Sequence, residues 1–332
     1  MNSRSMWTYG VTAPHTITRR DLPAPTEDDL AVGQVMVRVL VGGICGSDLP
    51  FFRGKVMPQG IAPAASGPAE PPPGAPLHEV VGEVVASRDE SLAVGTIVVG
   101  WASGFNAMSE YIVVDGGDVV SFSAGLSPSL AIMLQPLACV IYAVDALQNV
   151  AGSRVAVIGQ GSIGLLFSHV VKSAGAAHVI GVDRVDRSDV AEIYRVDEMV
   201  WRASDSWAAG VLDVGEPPDI VIEAVGHQVS TLIDATTALA DGGQIYYFGI
   251  PDDPIYPFPM WRFLRSRGRL YSGFTPTEAR RGCLTRAQQY LETHPEIGGF
   301  YISHTFSFAQ AQEAFTAANN PRRGQFKVTL EV

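Results

Sequence analysis

Val155-Ala156-Val157-Ile158-Gly159-Gln160-Gly161-Ser162-Ile163-Gly164 opens a stretch that runs on to His178-Val179-Ile180-Gly181-Val182-Asp183. A β-branched run enters a G-x-G-x-x-G turn. Apolar residues follow at helical spacing (Ile163, Leu166, Phe167, Val170, Val171), and a second strand then ends on an acid. The glycine motif alone is weak. With a strand before it, a helix after it and an acid about 20 residues on, it predicts a dinucleotide-binding βαβ unit. Gly159 permits the tight turn, Gly161 lets backbone approach a pyrophosphate, and Gly164 lets the helix pack closely on the strand. Ser162 and Ile163 begin the helix, whose free N–H groups and positive dipole end favour phosphate. Asp183 can accept hydrogen bonds from a ribose 2′-OH and would repel a 2′-phosphate, so NAD is expected over NADP. Arg184 and Arg187 follow. They soften that repulsion, stack on adenine or face solvent.

Composition sets the class. At 332 residues the chain is long for one core, and about 100–200 residues per domain implies two. With 47% hydrophobic and 17% charged residues it reads as a well-buried globular protein. A net charge of −11 with no basic patch speaks against a nucleic-acid partner. No apolar run of about 20 residues predicts a transmembrane helix, and Met1 to Trp7 lacks a signal-peptide core. Cys45, Cys139 and Cys283 are too few and too scattered for a disulfide framework. A reducing, cytoplasmic setting is therefore expected.

Residues 1 to 136 read mostly as β. Val35, Val37, Val39 and Val41 alternate within 34–41, and 79–86, 96–100 and 110–114 are further strands. From residue 137 strands and helices alternate. A buried-type strand covers 219–225, a helix 230–240, a Gly turn 241–243 and a strand 244–250. That succession predicts a doubly wound parallel sheet. Helices near 279–292 and 308–318 precede a last strand, 326–330. That strand needs a partner, and the β-rich first domain is the obvious host. Between 58 and 76, Pro58, Pro63, Pro68, Pro71, Pro72, Pro73 and Pro76 predict a loop of polyproline character, either a surface insertion or a lid.

A second constellation is Gly43-Ile44-Cys45-Gly46-Ser47-Asp48 together with His78-Glu79. Cysteine thiolate and histidine are good zinc ligands, and catalytic zinc sites use three protein ligands plus an open position. A lone Cys and a lone His are usually structural. Here each stands at the end of a strand with acids beside it. Phe51, Phe52, Trp101 and Phe105 either line a cleft or belong to the first core. Arg53 and Lys55 are available to an anion or face solvent.

With these segments, Gln135-Pro136-Leu137-Ala138, Glu223-Ala224-Val225-Gly226 and Gly324-Gln325-Phe326-Lys327-Val328, the chain resembles the zinc-containing medium-chain alcohol and polyol dehydrogenase family over nearly all its length. The resemblance implies a GroES-like catalytic domain over 1–136, completed by 275–332, with a Rossmann NAD-binding domain over 137–274 and a cleft between them. It implies that Cys45 and His78 hold a catalytic zinc, with Glu79 a direct ligand or one step removed. Asp48 would orient His78, Ser47 would pass the substrate proton, and Gln135 stands where sorbitol-dehydrogenase-like members carry a ligating Glu. Val225, Gly249 and Ile250 would join Gly159, Gly161, Ser162, Ile163, Gly164, Asp183 and Arg184 around the cofactor. A small-molecule alcohol or carbonyl substrate is implied, with no nucleic-acid or membrane partner and a homodimer or homotetramer as the assembly. The chemistry would be Lewis-acid activation of an alcohol and hydride transfer to the nicotinamide.

The chain departs from the family pattern in several places. Gln135 is neutral where an acid is usual; its amide oxygen or water would fill the position, with Cys139 a distant substitute. The four-cysteine structural lobe is absent, so one zinc per chain is expected. Pro50 replaces a relay histidine, and Leu77 replaces the glycine that often precedes the ligand histidine. Two other readings stay open. One is a zinc-independent quinone or enone reductase of the same fold, and the other a non-catalytic NAD-binding protein.

Overall fold

A computed structural model describes residues 4–55 and 72–332. The expected Pro-rich loop therefore lies, up to residue 71, outside the described residues. Among those described, the strands in chain order are β1 (Ser5–Ala13), β2 (Thr16–Pro23), β3 (Gln34–Ile44), β4 (Glu79–Ser87), β5 (Ile97–Trp101), β6 (Tyr111–Asp115), β7 (Val119–Ser121), β8 (Arg154–Ile158), β9 (His178–Asp183), β10 (Glu198–Trp201), β11 (Ile220–Glu223), β12 (Gln244–Tyr247), β13 (Arg269–Ser272), β14 (Ile302–Ser307) and β15 (Lys327–Glu331). The chain divides into two compact units. One comprises Met1–Ala138, Pro276–Asn320 and Lys327–Val332; the other comprises Cys139–Thr275 and Pro321–Phe326.

The first unit is built on a seven-stranded sheet of order β14-β15-β3-β4-β5-β7, with β6 also paired to β3, beside the β1–β2 hairpin. The alternating valines of β3 all turn inward, as their period of two requires. Val35, Val37 and Val39 join Val80, Val84, Val98, Ile112, Phe52 and Phe315 in one core. The terminal strand β15 pairs antiparallel with β3, Thr329 opposite Gly43, and parallel with β14. The sequence did not reveal the β1–β2 hairpin. Its residues are largely exposed and carry no clean alternation.

The second unit is an all-parallel six-stranded sheet, β10-β9-β8-β11-β12-β13. Helices Ser162–Ser173, Ser204–Val214, Val229–Ala238 and Met260–Ser266 provide crossovers. This is the doubly wound order in which ligands bind beyond the carboxyl ends of the strands. Strands β11 and β12 are shorter than the sequence predicted, ending at Glu223 and Tyr247. At β11 the cause lies in Glu223, whose buried Oε1 accepts the N–H groups of Val225 (3.0 Å) and Gly226 (2.9 Å) and bends the chain out of the ladder. Val225, Gly249 and Ile250 consequently sit in loops past the strand ends.

Residues Pro128–Asp145 are long and apolar enough by composition to cross a membrane (mean hydropathy 1.5), a stretch the sequence reading passed over. With 67% of it buried inside protein, it has the character of a core helix.

Gly164 shows how tightly the βαβ unit is closed. A Cβ there would lie 1.7 Å from the Gly159 carbonyl oxygen. Gly164→Ala is expected to destabilise the chain by about 1–3 kcal/mol or more, as overpacking does. Urea unfolding beside the wild type measures it.

Candidate active site

In the second unit, Gly159 takes φ +90°, and a Cβ on it would strike Val225 at 2.6 Å. Gln160 is fully buried. Its side chain donates to the Val157 carbonyl (3.2 Å), accepts from the Ser168 hydroxyl (3.1 Å) and fills the space over Gly181. The turn is thus bolted to the helix and to β9. Asp183 closes it, since one carboxylate oxygen accepts from Gln160 N–H (2.6 Å) and the other from Val185 N–H (2.7 Å). Gly161, by contrast, faces open space, with no protein atom within 4 Å of where a Cβ would stand. It caps the helix Ser162–Ser173, so the opening lies at a helix N-terminus. A bare cradle of this kind fits a pyrophosphate. At the neighbouring strand ends, Gly226 and Gly249 approach so closely that a Cβ on Gly249 would meet Gly226 N at 2.1 Å. Burial pushes the Glu223 carboxyl pKa up, against the backbone N–H groups that favour its ionised form.

The two arginines after Asp183 diverge. Arg184 is exposed, and its carbonyl accepts from the Trp201 indole (2.9 Å). Arg187 does not face solvent. It is 2% exposed, lies over the Phe326 ring (5.1 Å) and donates to the carbonyls of Arg322 (2.9 Å) and Gln325 (2.7 Å). Its role is to hold the segment 321–326 against this unit.

In the first unit, β3 delivers Cys45 and the start of β4 delivers His78 and Glu79. Donor atoms of these three residues all lie within 4.8 Å of one another. Asp48 is fully buried. One oxygen accepts from Cys45 N–H (2.8 Å) and the other meets His78 Nδ1 at 2.7 Å. In the neutral ring that contact would place the proton on Nδ1 and leave Nε2 for a metal, which would displace any proton there. Burial alone would lower the His78 pKa, but the negative charge of Asp48, with Cys45 beside it, outweighs burial and holds it well above 6.5. Ser47 is half-buried in the same turn.

Glu79 meets a residue that sequence reasoning left without a role. The Lys327 ammonium on β15 lies 2.6 Å from Glu79 Oε1, and both side chains are 0% exposed. Desolvation opposes the charge on Lys327, but Glu79, Cys45 and Asp48 together raise its pKa above the usual lysine value. Glu79 Oε2 remains buried without a hydrogen-bond partner. An anionic oxygen left unsatisfied beside a thiol and an imidazole fits a zinc ion, since buried charge of this kind is otherwise costly. The signal for Lys327 was Gly43, because a glycine inside a strand marks a close approach.

The other sequence candidates divide. Gln135 is 3% exposed in the first turn of helix Leu134–Asp145. Ile132, just ahead of it, packs against the Cα of Gly43. Cys139 lies outside the Cys45–His78–Glu79 group. Phe52 (1% exposed) belongs to the core, and Trp101 lies under the Arg280 guanidinium at 5.1 Å. Phe105 stands beside the His78 ring (5.3 Å) and near Phe51 (6.3 Å), held at a strained φ of +52°. Arg53 is half-buried, while Lys55 is exposed. Leu77 fits because Gly42 is bare; a Cβ on Gly42 would lie 2.2 Å from the Leu77 Cδ2.

A β-rich unit with a Cys–His–Glu cluster and a doubly wound nucleotide unit together define a two-domain dehydrogenase. Residues 31–124 match the alcohol dehydrogenase GroES-like domain profile and residues 162–287 the zinc-binding dehydrogenase profile. The chain belongs to the zinc-containing medium-chain dehydrogenase family and is an oxidoreductase. It is 24% identical to an L-threonine 3-dehydrogenase of Bacillus licheniformis, over 88% of this chain and 89% of that one. Two solved structures share the fold. One is an alcohol dehydrogenase of E. coli CFT073 complexed with NADH (TM-score 0.79, 21% identity, 99% of each chain). The other is a zinc-binding dehydrogenase of Sinorhizobium meliloti bound to NADP (TM-score 0.76, 21% identity, 99% of this chain and 100% of that one).

The raised His78 pKa has a stability consequence in the metal-free protein. A group whose pKa is raised on folding stabilises the fold fully below its unfolded value, near 6.5, and loses that contribution as pH climbs through the folded value. Urea midpoints of metal-free protein are expected to fall as pH rises from about 6.5, and His78→Gln is expected to flatten that slope.

Proposed function

We propose that this chain is an NAD-dependent zinc alcohol or polyol dehydrogenase, moving a hydride between a secondary alcohol, polyol or cyclitol, or the matching carbonyl, and NAD. The observation that carries the reading is the convergence of Cys45, His78 and Glu79 with one buried oxygen of Glu79 unpartnered. In this reading residues 1–136 with 275–332 are the catalytic domain and 137–274 the cofactor domain.

Cys45 and His78 would hold one zinc per chain, with Glu79 and the neutral Gln135 as further donors. Bound there, zinc would supply Lewis acidity toward an alcohol or carbonyl oxygen, and the nicotinamide would exchange the hydride. The chain's own groups do the rest. Asp48 fixes the His78 tautomer and ties down the Cys45 backbone. Ser47, in the same turn, takes the substrate's hydroxyl proton. Pro50 is buried and has no titratable group, so it cannot pass that proton on. Phe105 and Phe51 supply an apolar wall beside His78. Gly161, Ser162, Ile163 and Gly164 would receive the pyrophosphate, and Asp183 the adenosine ribose with Arg184 beside it. Val225, Gly249 and Ile250 would line the nicotinamide end. Three cysteines scattered along the sequence, Cys45, Cys139 and Cys283, suit a cytoplasmic setting.

We also propose a homo-oligomer. Among the described residues β13 is a sheet edge, and Met260, Trp261, Leu264 and Phe274 nearby are exposed.

The test is oxidation of a panel of secondary alcohols, polyols and cyclitols with NAD or NADP. Wild type is expected to turn over with NAD, and Cys45→Ala to lose at least about 100-fold, as loss of a metal ligand should. An active Cys45→Ala would instead identify a zinc-independent reductase. Nucleotide binding without turnover anywhere in the panel would identify a non-catalytic protein. Asp183→Ser is expected to raise kcat/KM with NADP relative to NAD, because it removes the carboxylate that opposes a 2′-phosphate.

A further inference from the structure

Lys327 and Glu79 lie on strands that are not neighbours. Strand β3 runs between β15 and β4, with Gly43 opposite Thr329 on one side and opposite Glu79 on the other. The two side chains meet across the bare Cα of Gly43. A Cβ there would fall 2.3 Å from Glu79 Oε2 and 3.0 Å from the Lys327 Cε. An ordinary buried strand position does better with a packed apolar residue than with an ion pair, because desolvation offsets much of the attraction. A fully buried lysine, reached across a glycine, calls for a reason beyond joining strands.

That reason lies in the charge of the cluster. With a metal bound, Cys45 would be a thiolate and His78 neutral, so Cys45, Asp48 and Glu79 would carry three negative charges and Lys327, paired with Glu79, one positive charge. A divalent ion supplies the balance. Gln135, neutral where the family pattern has an acid, adds nothing to the negative side.

Resting on the metal-site reading above, we propose that Lys327 is the resident counter-cation of this centre: it pairs with Glu79 Oε1, leaves Oε2 for the metal, and competes electrostatically with the metal for the same anions. Among the described residues Lys327 is the ammonium paired with Glu79, so without it a metal would meet less competition for that carboxylate. Lys327 therefore acts through Glu79 as a positioning residue that moderates metal affinity and keeps the metal-free site folded.

The experiment is Co2+ titration of metal-free full-length protein against a competing chelator, read by the visible cobalt spectrum, with thermal unfolding in parallel. Lys327→Met is expected to bind Co2+ at least tenfold more tightly than wild type, to unfold at a lower temperature without metal, and to gain more from added Co2+. Lys327→Arg is expected to stay within threefold of wild-type affinity. A folded Lys327→Met with unchanged or weaker affinity would overturn the proposal and leave Lys327 as a strand tie. If Lys327→Met does not fold without metal, the double variant Lys327→Met/Glu79→Gln, which removes both charges, is expected to restore folding; failure to restore it would also overturn the proposal. A wild type that binds no Co2+ would count against the dehydrogenase reading, and the folding comparison would still judge the pair.

Discussion

The antiparallel pairing of β15 with β3 is the contact on which the candidate metal centre depends. It lays the last strand of the chain beside a strand near its beginning, with Val328 opposite Ile44, the residue before Cys45. Lys327 thereby arrives at the mouth of the Cys45 turn, and β4, on the far side of β3, brings Glu79 to the same spot. Two glycines make the crowding tolerable. Gly43 lets the ion pair form, and Gly42 makes room for Leu77, which holds the approach to His78. The centre is thus assembled by sheet register. A one-residue slip would send each of these side chains to the opposite face.

The second unit obeys a different constraint, that of polar groups wholly or partly removed from water. Gln160, Asp183 and Glu223 each satisfy backbone or side-chain groups that the turns would otherwise leave unpaired. Their hydrogen bonds shape the loops beyond β8, β9 and β11, and leave Gly161 bare at the helix N-terminus. In the proposed reading Asp183 would have two tasks. It closes the glycine turn, and its remaining lone pairs are available to a ribose hydroxyl.

Much of this was legible in the sequence. The alternating valines of β3 declared a half-buried strand, and the strand–glycine–helix–strand–acid order of 155–183 declared the βαβ unit, because local periodicity and turn chemistry decide both. Cys45, Asp48, His78 and Glu79 were legible by residue type. What was not legible depends on distant pairing. Nothing around Lys327 announces that its ammonium turns inward, since its partner lies 248 positions away. Arg187, with several readings open in the sequence, proves to be covered by the segment 321–326. Of the four aromatic residues Phe51, Phe52, Trp101 and Phe105, Phe52 packs into the core and Trp101 under Arg280, while Phe105 packs beside His78 and Phe51. Their residue types could not distinguish the two fates.

The central claim is that Cys45, His78 and Glu79 form one metal centre. Metal analysis of purified protein combined with zinc X-ray absorption tests it most directly. About one zinc per chain is expected, with one sulfur and otherwise nitrogen and oxygen in its coordination shell. No zinc after reconstitution, or a shell dominated by sulfur, would contradict the account.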